Sequence, residues 1–306
     1  MKEIKNVAVL GAGAMGAFYA SKFFDASGFS TVLVARDQRY DHLKAEGLVI
    51  NGQHYSIPVV HPDEGVPPAD LILVALKNHH LPAAVHDLKN LVGGQTILIS
   101  VMNGLDSEET LGSVYGLDKV LYAIAVGIDA VRQGNSVTYT NPGKIYFGEG
   151  DNSIPSNRVL DVRRALGRAG IVSEIPADMN RMLWWKFMIN VGVNQASAVM
   201  RVPYGVFQTS PDAQTLMETL MREVLVLARQ VGVNLGEQDI KEWSAVLKTL
   251  SPQGKTSMLQ DIEAGRKTEV ESFAGKVVDL GKHYGLPTPA NQVLLNIIHV
   301  LEQFRA

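Results

Sequence analysis

Short apolar runs alternate with helical periodicity over roughly the first 130 residues, and long amphipathic segments replace them from about residue 178. The runs fall at 6–10, 31–34, 71–76, 96–101 and 120–126. Strand-length runs spaced by helical patterns predict βαβ units and a mostly parallel sheet. Between the second and third runs, Leu48-Val49-Ile50-Asn51-Gly52-Gln53-His54-Tyr55 carries an Asn-Gly turn signal, which predicts a hairpin beside the main sheet. Segments 136–140 and 144–148, joined through Asn141-Pro142-Gly143, predict antiparallel strands extending the sheet edge. A helix over 159–170 and a last short strand over 171–175 complete this half.

Beyond Pro176-Ala177-Asp178 strand signals almost vanish. Helical patterns cover 182–199, 211–231, 238–250, 259–263 and 269–284, with a last helix after Pro289. The expected organisation is an α/β domain over 1–177 followed by an all-helical domain over 178–306. In such a sheet a ligand is expected at the carboxyl ends of the parallel strands.

The first run feeds directly into Gly11-Ala12-Gly13-Ala14-Met15-Gly16 and then an amphipathic segment. Strand, glycine triplet and helix in that order form a dinucleotide-phosphate cradle of the Rossmann type. Gly11 allows the tight turn, Gly13 the approach of a pyrophosphate, and Gly16 close packing of the helix on the sheet. The helix start offers free N–H groups and a positive dipole end to the anion. About 20 residues on, where an NAD-binding fold places a carboxylate on the ribose 2′-hydroxyl, the second run ends in Ala35-Arg36-Asp37. A guanidinium at Arg36 suits a 2′-phosphate, which favours NADP(H), with Arg39 as a second contact. Asp37, one residue further, is the carboxylate that an NAD(H) assignment would use.

The 306 residues suffice for two domains, and a formal net charge of −3 offers no basic field for nucleic acid or anionic lipid. With no cysteine, disulfides, thiolate catalysis and sulfur-ligated metals are excluded. The chain runs from Met1 straight into its first strand, leaving no room for a cleavable signal, and holds no apolar stretch of membrane-spanning length. A soluble cytoplasmic protein is expected.

Polar residues interrupt the most apolar helix, 183–194. Lys186, Asn190 and Asn194 recur every fourth residue and share one face. An unpaired buried amide costs on the order of 1–3 kcal/mol and an ammonium more. The stripe therefore faces a polar cavity or ligand; the alternative is a lysine snorkelling to solvent beside two amides bonded to neighbouring backbone. Downstream, Thr256-Ser257-Met258-Leu259-Gln260-Asp261 reads by itself as a solvated helix start. Lys77-Asn78 and Asn103-Gly104 follow two of the strand runs and so stand at the carboxyl edge of the sheet. The His79-His80 pair and His86 read as surface residues rather than metal ligands.

With these residues in view, the chain resembles the ketopantoate reductase family of two-domain NADP-dependent 2-oxoacid reductases, over essentially its whole length. The resemblance rests on the glycine motif, Ala75-Leu76-Lys77, Asn103-Gly104, the Trp185-Lys186 to Asn194 helix, and Ser257-Met258-Leu259-Gln260-Asp261 leading to Thr268-Glu269. It implies Lys186 as the catalytic lysine and general acid, with Glu269 as the catalytic-site glutamate. It implies Asn190, Asn194 and Ser257 as substrate ligands, Asn103 beside nicotinamide and substrate, and Arg36 with Lys77 at the adenosine phosphate end of the cofactor. Asp261 takes a supporting role. The implied activity is NADPH-dependent reduction of 2-dehydropantoate to pantoate in pantothenate biosynthesis, with no metal and with a homodimer as the expected assembly. Another 2-oxoacid as substrate, or an NADPH-binding paralogue without turnover, stays open.

Overall fold

The computed structural model describes residues 3–304, so Met1 and Lys2, where the expected leaderless start begins, lie outside it. The chain divides into two compact units. One holds the residues up to Met102 together with Asp106–Met182; the other holds Asn103–Leu105 together with the chain from Leu183 onward.

The first unit contains β1 (Asn6–Leu10), α1 (Ala14–Asp25), β2 (Ser30–Val34), α2 (Asp37–Glu46), β3 (Leu48–Ile50), β4 (Gln53–Tyr55), β5 (Val59–Val60), β6 (Leu71–Val74), α3 (Leu81–Ala84), β7 (Ile97–Ser100) and α4 (Ser107–Tyr115). β8 (Val120–Ile128), β9 (Val131–Gln133), β10 (Ser136–Thr138), β11 (Pro142–Gly148), α5 (Asn157–Arg168) and β12 (Ser173–Glu174) follow. The main sheet has the order β12-β11-β8-β7-β6-β1-β2-β5 and is parallel except where β8 meets β11. Its central strands are apolar on both faces because both faces are covered. Val7, Val9, Leu71, Leu73 and Ile99 pack with Phe18 and Phe23 of α1. The alternate residues Ala8, Leu10, Ile72, Val74 and Leu98 pack with Leu81, Val85 and Leu111 on the other side.

The expected hairpin over 48–55 is β3–β4, and it lies in a separate sheet of order β4-β3-β10-β9. Here one expectation is corrected: the segment at 136–140 does not extend the main sheet edge. β10 instead pairs parallel with β3 and antiparallel with β9, while β11 pairs with β8. The hairpin turn falls at Gly134-Asn135, with Gly134 in the left-handed region at φ 59°, and Val137 is buried in the core beneath the small sheet. Strand propensity at 136–140 was legible; its partner depended on a turn two residues earlier. The last strand, expected over 171–175, is only β12, paired with β11.

The helical unit comprises the end of α6 (Met179–Ile189), a π-helical turn at Asn190–Asn194, α7 (Gln195–Met200), α8 (Tyr204–Thr209), α9 (Pro211–Gln230), α10 (Glu237–Leu247), α11 (Ser257–Glu263), α12 (Ala274–Tyr284) and α13 (Pro289–Gln303). The helix expected over 182–199 is thus α6 and α7 joined through the π turn. Its apolar residues Phe187, Met188, Val191 and Val193 pack with Met217, Leu220, Met221 and Val224 of α9 and with Val277 of α12. A buried polar hub ties these helices. Gln195 donates to Asn291 Oδ1 at 3.1 Å and accepts from the Ala274 N–H at 2.9 Å. The Glu223 carboxylate accepts the Ala290 and Asn291 N–H groups at 2.8 and 3.0 Å, capping α13 with negative charge at its positive end. Among the described residues no helix is long and apolar enough to cross a membrane.

One buried carboxyl in the first unit makes stability depend on pH. Ser100 at the end of β7 donates to Ser107 Oγ at 2.8 Å, and Ser107 donates to Glu108 Oε2 at 2.8 Å. Burial pushes the Glu108 carboxyl up from 4.5 to about 7. A raised carboxyl pKa means that the protonated form is the stabilising one. That contribution is complete below about pH 4.5 and is lost as pH rises through about 7. Unfolding free energies from denaturant titrations should therefore fall between about pH 5 and 8 in the wild type by roughly 2–3 kcal/mol more than in Glu108→Gln. Parallel pH profiles for the two proteins would show that Glu108 ionises in the fold without penalty.

Candidate functional site

The glycine turn is built where β1 ends. Gly11 has φ +99°, open to glycine and strained for other residues, and a Cβ at Gly16 would collide with the Gly11 carbonyl. A Cβ at Gly13 would meet no protein atom within 4 Å. α1 starts just after Gly13 with no side-chain cap and no acidic residue in its first turn, so its leading N–H groups face no anion of the protein's own. Open space, uncapped donors and a positive dipole end fit the phosphates of a dinucleotide held by residues 11–16.

Cations gather around this turn. The Ala12 carbonyl accepts from Arg39 Nη2 at 2.7 Å and also from Arg132 Nη1. Arg36, the residue singled out from sequence, immediately precedes α2 and is ion-paired with the buried carboxylate of Asp87. Asp37 is exposed and has φ 50°. Lys77 lies in extended backbone after β6, at the start of a short 3-10 turn. Arg132 was missed by sequence reasoning. The Gly134-Asn135 turn signal that defines its hairpin could have placed it on a strand, but no spacing rule ties residue 132 to residue 12.

In the helical unit the polar residues form a chain of hydrogen bonds. Asn194 Nδ2 donates to Asn190 Oδ1 at 3.4 Å, Asn190 Nδ2 to Asn103 Oδ1 at 3.3 Å, and Asn103 Nδ2 to Glu269 Oε2 at 3.2 Å. Asn190, Asn194 and Glu269 are buried. Both helix asparagines lie in the π turn, a local departure from α geometry of the kind often found at functional sites. Lys186 stands one turn earlier on α6. Desolvation alone lowers its pKa from 10.5 to about 8, and no carboxylate among the described residues pairs with it. Glu269 is thus joined to Asn103 rather than to the lysine. Ser257 is exposed in the first turn of α11, whose start is capped by Thr256 accepting from the Leu259 N–H at 3.2 Å. That helix packs on α7. Asp261 is buried and ion-paired with Arg266 at 2.9 Å, which secures the end of the same helix. His79, His80 and His86 are exposed, and no metal-holding group of three acidic or histidine side chains occurs among the described residues.

A parallel dinucleotide-binding sheet followed by a helical unit with a lysine and amide cluster defines the class of two-domain, Rossmann-type oxidoreductases. Residues 7–152 match the family model for ketopantoate reductase PanE/ApbA, and residues 178–302 match the model for its C-terminal domain. The chain belongs to the ketopantoate reductase family. The 2-dehydropantoate 2-reductase of Archaeoglobus fulgidus is 27% identical over 301 residues, covering 98% of this chain and 99% of that protein. A PanE/ApbA family ketopantoate reductase structure from Ralstonia eutropha superposes with a TM-score of 0.84 at 25% identity, covering 98% of this chain and 99% of that one. A D-mandelate dehydrogenase in complex with NADH and anilino(oxo)acetate shares the fold, with a TM-score of 0.87 at 20% identity and coverage of 97% and 98%.

The second and third glycines of the turn separate fold from binding. Gly16→Ala should destabilise the protein by about 1–3 kcal/mol through overpacking. Gly13→Ala should leave the thermal midpoint unchanged and weaken dinucleotide binding at least tenfold, roughly 1.4 kcal/mol. Calorimetric titration and thermal melts of both variants check this; undiminished dinucleotide affinity in Gly13→Ala would place the phosphates elsewhere.

Proposed function

We propose that this protein reduces 2-dehydropantoate to pantoate with NADPH, the reductive step that serves pantothenate biosynthesis. The observation that carries the proposal is the partly buried, desolvated ammonium of Lys186, tuned to about 8, on the same helix as an amide chain that ends in the Glu269 carboxylate. When bound, the reduced nicotinamide supplies a hydride to the ketone carbon. Lys186 stabilises the negative charge that grows on the carbonyl oxygen and then gives that oxygen a proton. Asn190, Asn194 and Ser257 supply neutral hydrogen bonds for the substrate carboxylate and hydroxyl, and Asn103, held by Glu269, serves substrate and nicotinamide alike. Gly11, Ala12, Gly13, Ala14, Met15 and Gly16 cradle the diphosphate, with Arg36 and Lys77 at the adenosine end. A protein that only stored NADPH would gain nothing from a desolvated lysine without a counter-ion.

The fold shared with a D-mandelate dehydrogenase bound to NADH and an oxoacetate gives a second reading, reduction of another 2-oxoacid. Initial rates of reduced-nicotinamide oxidation, with 2-dehydropantoate and a panel of other 2-oxoacids, decide between them. We expect the highest kcat/KM for 2-dehydropantoate with NADPH; preference for another oxoacid would keep the chemistry and change the substrate. Lys186→Met should lower kcat about 10²- to 10⁴-fold with unchanged NADPH affinity. Because the protonated lysine is the acid, wild-type kcat/KM should fall as pH rises through about 8. Ordinary turnover in the variant would remove Lys186 from the mechanism.

We also propose a homodimer, supported by an exposed apolar stripe on α13. Val293, Ile297 and Val300, with Phe304 just beyond the helix, recur at helical spacing on one face. Sedimentation should give a dimer that Val300→Glu converts to monomer; a monomeric wild type would leave the stripe without this role.

A further inference from the structure

We infer that Arg39 and Arg132 together grip a phosphate monoester, the 2′-phosphate of the bound dinucleotide, and that the small second sheet serves to bring Arg132 to this place. The inference rests on the NADPH assignment above and names the residues that read the phosphate.

Two guanidiniums converge on one backbone carbonyl, that of Ala12 in the glycine turn. A carbonyl dipole cannot neutralise two full charges, and like charges brought together in partly buried surroundings repel. Burial, with the neighbouring Arg39 charge as the second cause, pulls Arg132 down to about 10, and burial lowers Arg39 as well. Among the described residues neither guanidinium has a carboxylate partner. The other bonds of Arg132 run to the Gly134 carbonyl of its own turn, at 2.7 Å from Nε. Arg36 contrasts with both, since its charge is already balanced by Asp87. Two adjacent guanidiniums without a carboxylate partner favour an anion between them, and the planar fork of arginine suits a phosphate.

Position selects which phosphate. Arg39 lies in the first turn of α2, immediately beyond the carboxyl end of β2. In dinucleotide-binding folds that strand end receives the adenosine ribose, where the 2′-phosphate sits. The diphosphate bridge, in contrast, belongs at the start of α1. Arg132 reaches Ala12 from β9, an edge strand of the small sheet, whose packing through Val137 anchors the hairpin on the nucleotide-binding unit. The hairpin therefore contributes a second cation that the parallel sheet alone does not provide.

The test measures binding of 2′-AMP, 5′-AMP, NADPH and NADH by calorimetry to the full-length wild type and to Arg39→Gln, Arg132→Gln, Arg132→Lys and Arg36→Gln. Each glutamine variant of the pair should lose about 10- to 100-fold in 2′-AMP and NADPH affinity, the range for a charged hydrogen bond, with 5′-AMP and NADH unaffected. Arg132→Lys should recover part of the loss. Apo thermal midpoints of the glutamine variants should stay level or rise, because a repulsion is relieved. Retained 2′-AMP affinity with a lowered midpoint would make the pair a structural staple for the glycine turn and overturn the inference. Equal losses for 2′-AMP and 5′-AMP, or loss in Arg36→Gln alone, would overturn it too. A wild type that does not distinguish 2′-AMP from 5′-AMP would sink the NADPH assignment itself, before any variant is compared.

Discussion

A buried polar group must find a partner, and in the helical unit that requirement organises everything around the candidate site. Three amides and a carboxylate sit in or beside a core of Phe, Met, Leu and Val side chains. Left unpaired, each amide would cost on the order of 1–3 kcal/mol. They satisfy one another in sequence: Asn194 to Asn190, Asn190 to Asn103, Asn103 to Glu269. The π turn lies where two of these amides enter the chain, and residues 103–105 group with the helices rather than with the strand that precedes them. The Gln195, Asn291 and Glu223 hub answers the same requirement elsewhere in the core, where its members bond to helix backbone as well as to one another.

The nucleotide-binding unit meets a different constraint, that backbone and charge must be left ready for a ligand. Gly16 is forced by the protein itself, since nothing larger fits beneath the Gly11 carbonyl, whereas Gly13 is demanded by no protein atom. The helix after it starts without a cap, although caps are worth about 1 kcal/mol and are used at α5, α9 and α11. Guanidiniums fill the neighbourhood with positive charge; among the described residues Arg36 is the one of the three neutralised by ion pairing. Stability withheld in this way is what preorganisation for an anion looks like.

Lys186 belongs to the same economy. Holding an ammonium in desolvated surroundings opposes folding wherever the lysine is charged, which with a pKa near 8 includes neutral pH. The same environment brings its proton within reach of neutral-pH chemistry. Glu269 does not relieve the penalty, being engaged with Asn103. The lysine consequently has no carboxylate partner among the described residues.

Local pattern determined a great deal about this protein. Apolar runs with intervening helices are enough to specify a parallel sheet, because only strands covered on both faces tolerate such sequences. Glycine spacing specified the turn after β1, and the four-residue recurrence of Lys186, Asn190 and Asn194 marked a helix that could not be wholly dry. Each of these signals acts within a few residues of chain. The tertiary structure decided what acts across larger separations. It took β10 from the main sheet and gave it to β3, set Asn103 against Glu269 across 166 residues, spent Arg36 on Asp87, and brought Arg132 to the carbonyl of Ala12 across 120. Hydrogen bonds and ion pairs between distant segments depend on how the chain packs as a whole, and periodicity carries no record of that.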